Sequence, residues 1–180
     1  EPRSVIIDAK SGASGAGRSL KEVNLFCEVA EGLHPYGIGV HRHAPEIEQE
    51  LSSRFGQSLA VTFTPHLVPM TRGELVTIYA DITSGETLES VHAALADRYQ
   101  DEAFVTVRPL GSLPPDTRHV RGTNRCEISV HKDRVEGRVV IIGAIDNLIK
   151  GSSGQALQNI NLMYGWDEGL GLDTLQPLFP

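Results

Sequence analysis

Val139 to Ile145 is the most restrictive stretch of this sequence, a run without a single polar side chain. It is rich in β-branched residues and far too short to cross a membrane. It therefore reads as a strand in the interior of a sheet, covered on both faces. Just before it, Cys126, Ile128 and Val130 alternate with Glu127, Ser129 and His131. That is the period of a strand with one face toward a core. The polar turn from Lys132 to Gly137 joins the two as a hairpin. Leu75 to Ile82 and Leu59 to Thr64 alternate in the same way, and Val5 to Ile7, Ile38 to Val40 and Phe104 to Val107 read as shorter strands.

Helices fall between these runs. Pro45 suits a first helical position, Glu46 and Glu48 suit the positive end of the helix dipole, and Ile47, Leu51 and Phe55 line one side. Thr87 can cap a helix to Tyr99 that buries Leu88, Val91 and Leu95. A last helix opens at Ser152 with Gln155 at capping-box spacing, buries Leu157, Ile160 and Tyr164, and stops at Gly165. Residues 20–34 carry apolar side chains without a clean period, so helix and strand both stay open there. The order is that of an α+β domain.

Charge excludes some functions. Sixteen basic residues against 23 acidic ones leave a net charge of -7, which offers no footprint for nucleic acid or an anionic membrane. Two cysteines without a C-x-x-C pair point to a reducing, cytoplasmic compartment and away from a disulfide scaffold. No apolar run nears the roughly 20 residues of a membrane span. The start, Glu1 to Ser4, lacks the features of a signal peptide and a first Met, so a fragment is the expectation.

Four segments could carry chemistry. Ser11 to Arg18 is glycine-rich and flanked by Lys10 and Arg18; its backbone could cradle a phosphate or carboxylate, or be a plain flexible loop. His41-Arg42-His43 precedes a helix and places two imidazoles where either can serve as acid or base; in an extended run Arg42 would point away from both. A metal reading would need His66 as a third ligand, and no ligand spacing supports it. Thr64-Pro65-His66 and Arg72-Gly73 fall where prolines break a strand, and Ser152 to Gln158 opens a helix with small residues. Cys126 reads as core, and Cys27 has no basic neighbour to lower its pKa.

Taken together, Asp8 to Arg18, His41 to Gln49, Phe63 to Gly73 and Asp146 to Asn159 resemble, in this order, the N-acetyl-gamma-glutamyl-phosphate reductases of arginine biosynthesis. The wider group includes aspartate-semialdehyde dehydrogenase. The resemblance implies a glyceraldehyde-3-phosphate-dehydrogenase-like C-terminal domain, with helices on one face of a mixed, mostly antiparallel sheet. Residues 1–150 would bind substrate and form the dimer, and 151–180 would pack on an NADP-binding half. The implied reaction turns an acyl phosphate into an aldehyde with NADPH, through a cysteine thiolate. In the family that cysteine sits in an Asn-Pro-Gly-Cys segment upstream, so the chain would be about the second half of an enzyme twice its length.

Carried onto this chain, the resemblance makes His41 or His43 the acid/base. Lys10, Ser11, Gly12, Ser14, Gly15, Arg18, Arg42 and Glu46 would serve the substrate. Asn147, Gly151 and Gln158 would approach the nicotinamide, with no metal and a homo-oligomeric assembly. Glu74 departs from the apolar residue expected after Arg-Gly and is read as a packing change. Two alternatives stay open: a binding or dimerisation module without chemistry, and a related semialdehyde dehydrogenase. The latter family places its catalytic histidine after the Arg-Gly position, where Glu74 stands here.

Overall fold

A computed structural model describes residues 5–19 and 21–177. Glu1 to Ser4, Leu20 and the end of the turn-rich tail lie outside the described residues. Seven strands form one mixed sheet: β1 (Ile6–Gly12), β2 (His34–Pro35), β3 (Thr62–Val68), β4 (Glu74–Asp81), β5 (Val105–Val107), β6 (Cys126–Lys132) and β7 (Arg138–Ile145), in the order β2-β3-β1-β4-β7-β6-β5. The β1–β3 and β5–β6 pairs are parallel, and the other four are antiparallel. Among the described residues five α-helices accompany the sheet: α1 (Phe26–Val29), α2 (His43–Phe55), α3 (Leu88–Tyr99), α4 (Thr117–Val120) and α5 (Gly154–Met163). The α+β class and the 126–145 hairpin agree with the sequence reading.

Local chemistry explains where α3 begins. Thr87 accepts from the Ser90 amide, and the Ser90 hydroxyl accepts from the Thr87 amide, so two otherwise unpaired donors are satisfied. His92 Nε2 then lies 2.9 Å from the Arg108 carbonyl and fixes α3 beside the end of β5. Helix α2 is tied to the lead-in of β3: the Leu59 amide donates to Ser52 Oγ at 2.9 Å and the Val61 amide to Glu48 Oε1 at 3.0 Å.

Several expectations need correction. Ile38 to Val40 is a turn rather than a strand, because Gly37 and Gly39 both take a positive φ that reverses the chain. Helix α2 starts two residues before Pro45, which costs nothing because first-turn amides have no helical partner. It buries none of its residues completely, and Phe55 at its end is exposed. Pro65 does not end β3. Its carbonyl accepts from the Tyr36 amide on the outer side, so the missing N–H also faces that edge, where β2 covers only two residues.

The apolar run of β7 does sit between two strands, yet only Val139 and Ala144 are buried in it, and β4 buries none of its residues. The centre of the sheet thus keeps accessible apolar surface. The last helix has no capping box. A π-helical turn over Ile149–Ser153 runs straight into α5, whose buried residues are Gly154, Gln158 and Asn161. Ile160 and Tyr164, expected inside, are exposed along with Leu162, Met163 and Trp166.

Candidate functional site

Strand alternation decides which residues can meet. Ala9 and Ser11 point to one side of β1, and their partners in register are Pro65 and Leu67 on β3 and Val76 and Glu74 on β4. A cavity of about 640 Å³ opens on this side, floored by Ala9, Ser11, Phe63, Pro65, Leu67 and Glu74. His34 and Tyr36 close one wall, and His41, Arg42 and His43 form the next. Ser14 and Gly15 face them, and Asn147, Leu148, Gly151 and Ser152 complete the rim.

Asp8, Lys10 and His66 project to the opposite side. There Lys10 Nζ is 2.8 Å from Asp8 Oδ1, and His66 Nδ1 is 3.1 Å from the same oxygen. Lys10 is therefore off the cavity, and so is His66. Among the described residues no group of three or more His, Cys, Asp or Glu is arranged to hold a metal ion. Arg18 and Glu46 are exposed and absent from the cavity walls.

The glycine-rich loop is not a free anion cradle. The amides of Gly12, Ala13 and Ser14 donate to the carbonyls of Gly73, Met70 and Thr71 at 2.9, 2.8 and 3.2 Å. Gly12 is needed for that contact, since a Cβ there would sit 3.0 Å from backbone atoms of Met70, Thr71 and Arg72. Asn147 locks the same junction, accepting from the Gly73 amide at 2.7 Å and donating to Ser14 Oγ at 2.9 Å. Its neighbour Asp146 is fully buried and accepts from the amides of Gly122, Leu148 and Ile149 at 2.6, 2.8 and 2.9 Å. Arg72 Nε lies 3.2 Å from Oδ2, the oxygen that also accepts from the Gly122 amide.

Gly73 has a φ of 110°, and a Cβ added there would lie 2.8 Å from Thr117 Cβ. Gly73→Ala should destabilise the fold by about 1–3 kcal/mol, as a combined backbone and overpacking effect. Urea unfolding would read this directly as a lower midpoint.

The segment His41 to His43 is not extended. Arg42 is in the right-handed helical region, and this curls the two imidazoles to a ring separation of 4.8 Å. The His41 ring also meets Tyr36 and Phe63, both at 5.3 Å. The His43 amide donates to His41 Nδ1 at 3.2 Å. A neutral His41 consequently carries its proton on Nε2. Burial, then the charges of His43 and Arg42, hold its pKa below the usual imidazole value, with Glu46 pulling the other way.

Of the residues expected near a nicotinamide, Gly151 and Asn147 reach the rim, but both polar atoms of Asn147 are already engaged. Gln158 does not reach it. Its amide accepts from Asn124 and Lys150 and donates to Glu168, inside a buried network. Cys27 is exposed and Cys126 lies on β6, where burial pushes its thiol up; neither lines the cavity. Sequence reasoning missed His34, Tyr36, Phe63 and Glu74 as wall residues. Glu74 could have been found, as a charge at the start of a strand whose following residues are mostly apolar.

A family model described as semialdehyde dehydrogenase, dimerisation domain, matches residues 1–147. The chain belongs to this family. It is 59% identical over 180 residues to an N-acetyl-gamma-glutamyl-phosphate reductase of Rhodospirillum rubrum, covering all of this chain and 51% of that protein. A reductase of the same name from Geobacter metallireducens is 53% identical over 181 residues, covering 100% of this chain and 52% of its own length. A probable chloroplastic one from Arabidopsis thaliana is 54% identical over 176 residues, or 98% of this chain and 43% of that protein. The chain spans about half the length of these curated relatives.

Among solved structures, aspartate semialdehyde dehydrogenase II of Vibrio cholerae superposes with a TM-score of 0.69 at 16% identity, covering 89% of this chain and 54% of that one. A probable aspartate-semialdehyde dehydrogenase from Pseudomonas aeruginosa gives 0.60 at 14%, covering 81% and 50%. At such identities the likeness shows a shared α+β fold. No described helix is long and apolar enough to cross a membrane.

Proposed function

We propose that this chain is the substrate-binding and subunit-pairing half of an N-acetyl-gamma-glutamyl-phosphate reductase, acting in the cytoplasm in arginine biosynthesis. The observation that carries the reading is one cavity that collects His41, Arg42 and His43 together with Ser11, Ser14 and Gly15. The names of the relatives and the matched family support the substrate class. In the reaction the acyl carbon–oxygen bond to phosphate breaks, a C–H bond forms, and phosphate and an aldehyde leave.

His41 is the residue we assign to the acyl oxygen. Its Nε2–H can donate to that oxygen as negative charge develops on it, while the His43 amide holds the ring in place through Nδ1. Arg42 is the permanent cation beside it on the wall and pairs with the phosphate or carboxylate of the substrate. His43 sets the orientation and charge of His41. NADPH, when bound, supplies the hydride. Gly151 and Ser152 suit its approach, being small and exposed at the rim, whereas Asn147 acts as a latch and Gln158 as a strut.

Neither cysteine reaches the cavity, so the nucleophile belongs to a segment outside these residues. Residues 1–150 then form the substrate and pairing unit, with the open centre of the sheet facing a second copy. The bare face of α5, within 151–180, is left for the nucleotide-binding half.

The test is an assay of NADPH oxidation. The full-length protein should consume NADPH with N-acetyl-gamma-glutamyl phosphate, and the 180-residue chain alone should not. Turnover by the chain alone, or reduction of aspartyl phosphate in preference to the N-acetyl compound, would refute the assignment.

A further inference from the structure

Among the described residues, Glu74 is the one acidic side chain on the cavity wall. It begins β4 in register with Ser11 on one side and Ile145 on the other, so its carboxyl is aimed across the floor of the cavity. Among the described residues no cation pairs with it. The nearest along the chain, Arg72, is held by Asp146. The titratable and charged groups around the same space are Tyr36 and His34 near β2, then His41, Arg42 and His43, and Lys21 at the rim. Burial first, and then the charge of nearby Glu74, raise the pKa of Tyr36, with Arg42 pulling the other way.

A carboxylate in this position opposes the ligand that Arg42 attracts. An anion brought beside it adds like charge next to a half-buried carboxylate, and the two cannot both stay ionised at low cost. We infer that Glu74 takes up a proton when an anionic ligand enters the cavity and then donates its O–H to a carboxylate or phosphate oxygen of that ligand. The balance is simple: one solvent proton joins the carboxylate, no other bond changes, and a repulsion becomes a hydrogen bond. Burial already raises the free carboxyl's pKa from its usual value, the same direction in which a bound anion pushes it. Glu74 is in this way a specificity-determining residue that admits anions by neutralising itself.

The inference rests on the reductase reading for the identity of the anion. Its test, however, reads binding rather than turnover, so the two can fail separately. The probe is N-acetyl-L-glutamate, whose carboxylates stay ionised above about pH 6. Calorimetric titration of the full-length protein in buffers of different ionisation enthalpy counts the protons bound per ligand. Wild type should take up more protons than Glu74→Gln, whose amide is neutral and can donate at every pH. Above the shifted pKa, wild-type affinity should fall by up to about tenfold per pH unit relative to that variant. Glu74→Leu keeps neither charge nor donor and should bind more weakly than Glu74→Gln throughout.

Equal proton uptake by wild type and Glu74→Gln would overturn the proposal, as would no binding by wild type near about pH 6. So would weaker binding by Glu74→Gln without any proton uptake by wild type, because that pattern marks a carboxylate accepting the ligand's amide N–H.

Discussion

Asp146→Ala is expected to lower the unfolding free energy by about 3–5 kcal/mol, the range for removing one partner of a buried, charged, hydrogen-bonded pair. Three amides and the Arg72 guanidinium converge on this fully buried carboxylate. Without it, the amides of Gly122, Leu148 and Ile149 lose their acceptor, and Arg72 is left without its counter-charge. Asp146→Asn keeps the volume and one acceptor oxygen and should cost less than Asp146→Ala. Urea unfolding of the two variants orders them. Equal losses would mean that packing, rather than charge and acceptor number, accounts for the effect. The change also reaches the cavity, because Asp146 holds Asn147 in line with Gly73 and Ser14.

His41→Ala in the full-length enzyme should reduce kcat by roughly a hundredfold or more, within the range for losing a positioned acid/base group. The effect should fall on kcat more than on KM, since Arg42, the proposed anion partner, remains on the cavity wall. Its pH dependence has a definite sign. Protonation at Nδ1 removes the acceptor used by the His43 amide, so the competent form is neutral, and the rate should drop as pH falls through the His41 pKa. Burial and the His43 and Arg42 charges place that pKa below the usual imidazole value. His43→Gln removes one of the lowering charges, which raises the His41 pKa and moves the acid limb of kcat/KM to higher pH. A limb that stays put, or near-normal turnover by His41→Ala, would take His41 out of the chemistry.

Much of the local structure was legible in the residues alone. The capped start of α3, the hairpin from Cys126 to Ile145 and the presence of β4 follow from periods and caps that involve only near neighbours in the chain, although β4 shows no alternation in burial. Through the resemblance the sequence also named Ser11, Ser14, His41, Arg42 and His43, which line one cavity, together with Arg18 and Glu46, which do not. Lys10 and Gln158 show why the rest was not. Lys10 sits one residue from two wall residues, yet strand alternation turns it to the far side, where Asp8 holds it. Gln158 has the right spacing after Gly151, but Asn124, Lys150 and Glu168 draw its amide into a buried network.

What the sequence by itself determined is the longer strands β1, β3, β4, β6 and β7 and the helices α2, α3 and α5, because those depend on contacts within a few residues, whereas α1, α4 and the two-residue β2 carry no such local signal. Which side of each strand faces the cavity, and that half-buried Glu74 lines it in register with Ser11, were decided only by tertiary structure. The reason is that register between β1, β3 and β4 is set by pairing across long separations in the chain. A shift of one residue would turn every one of these side chains to the other face.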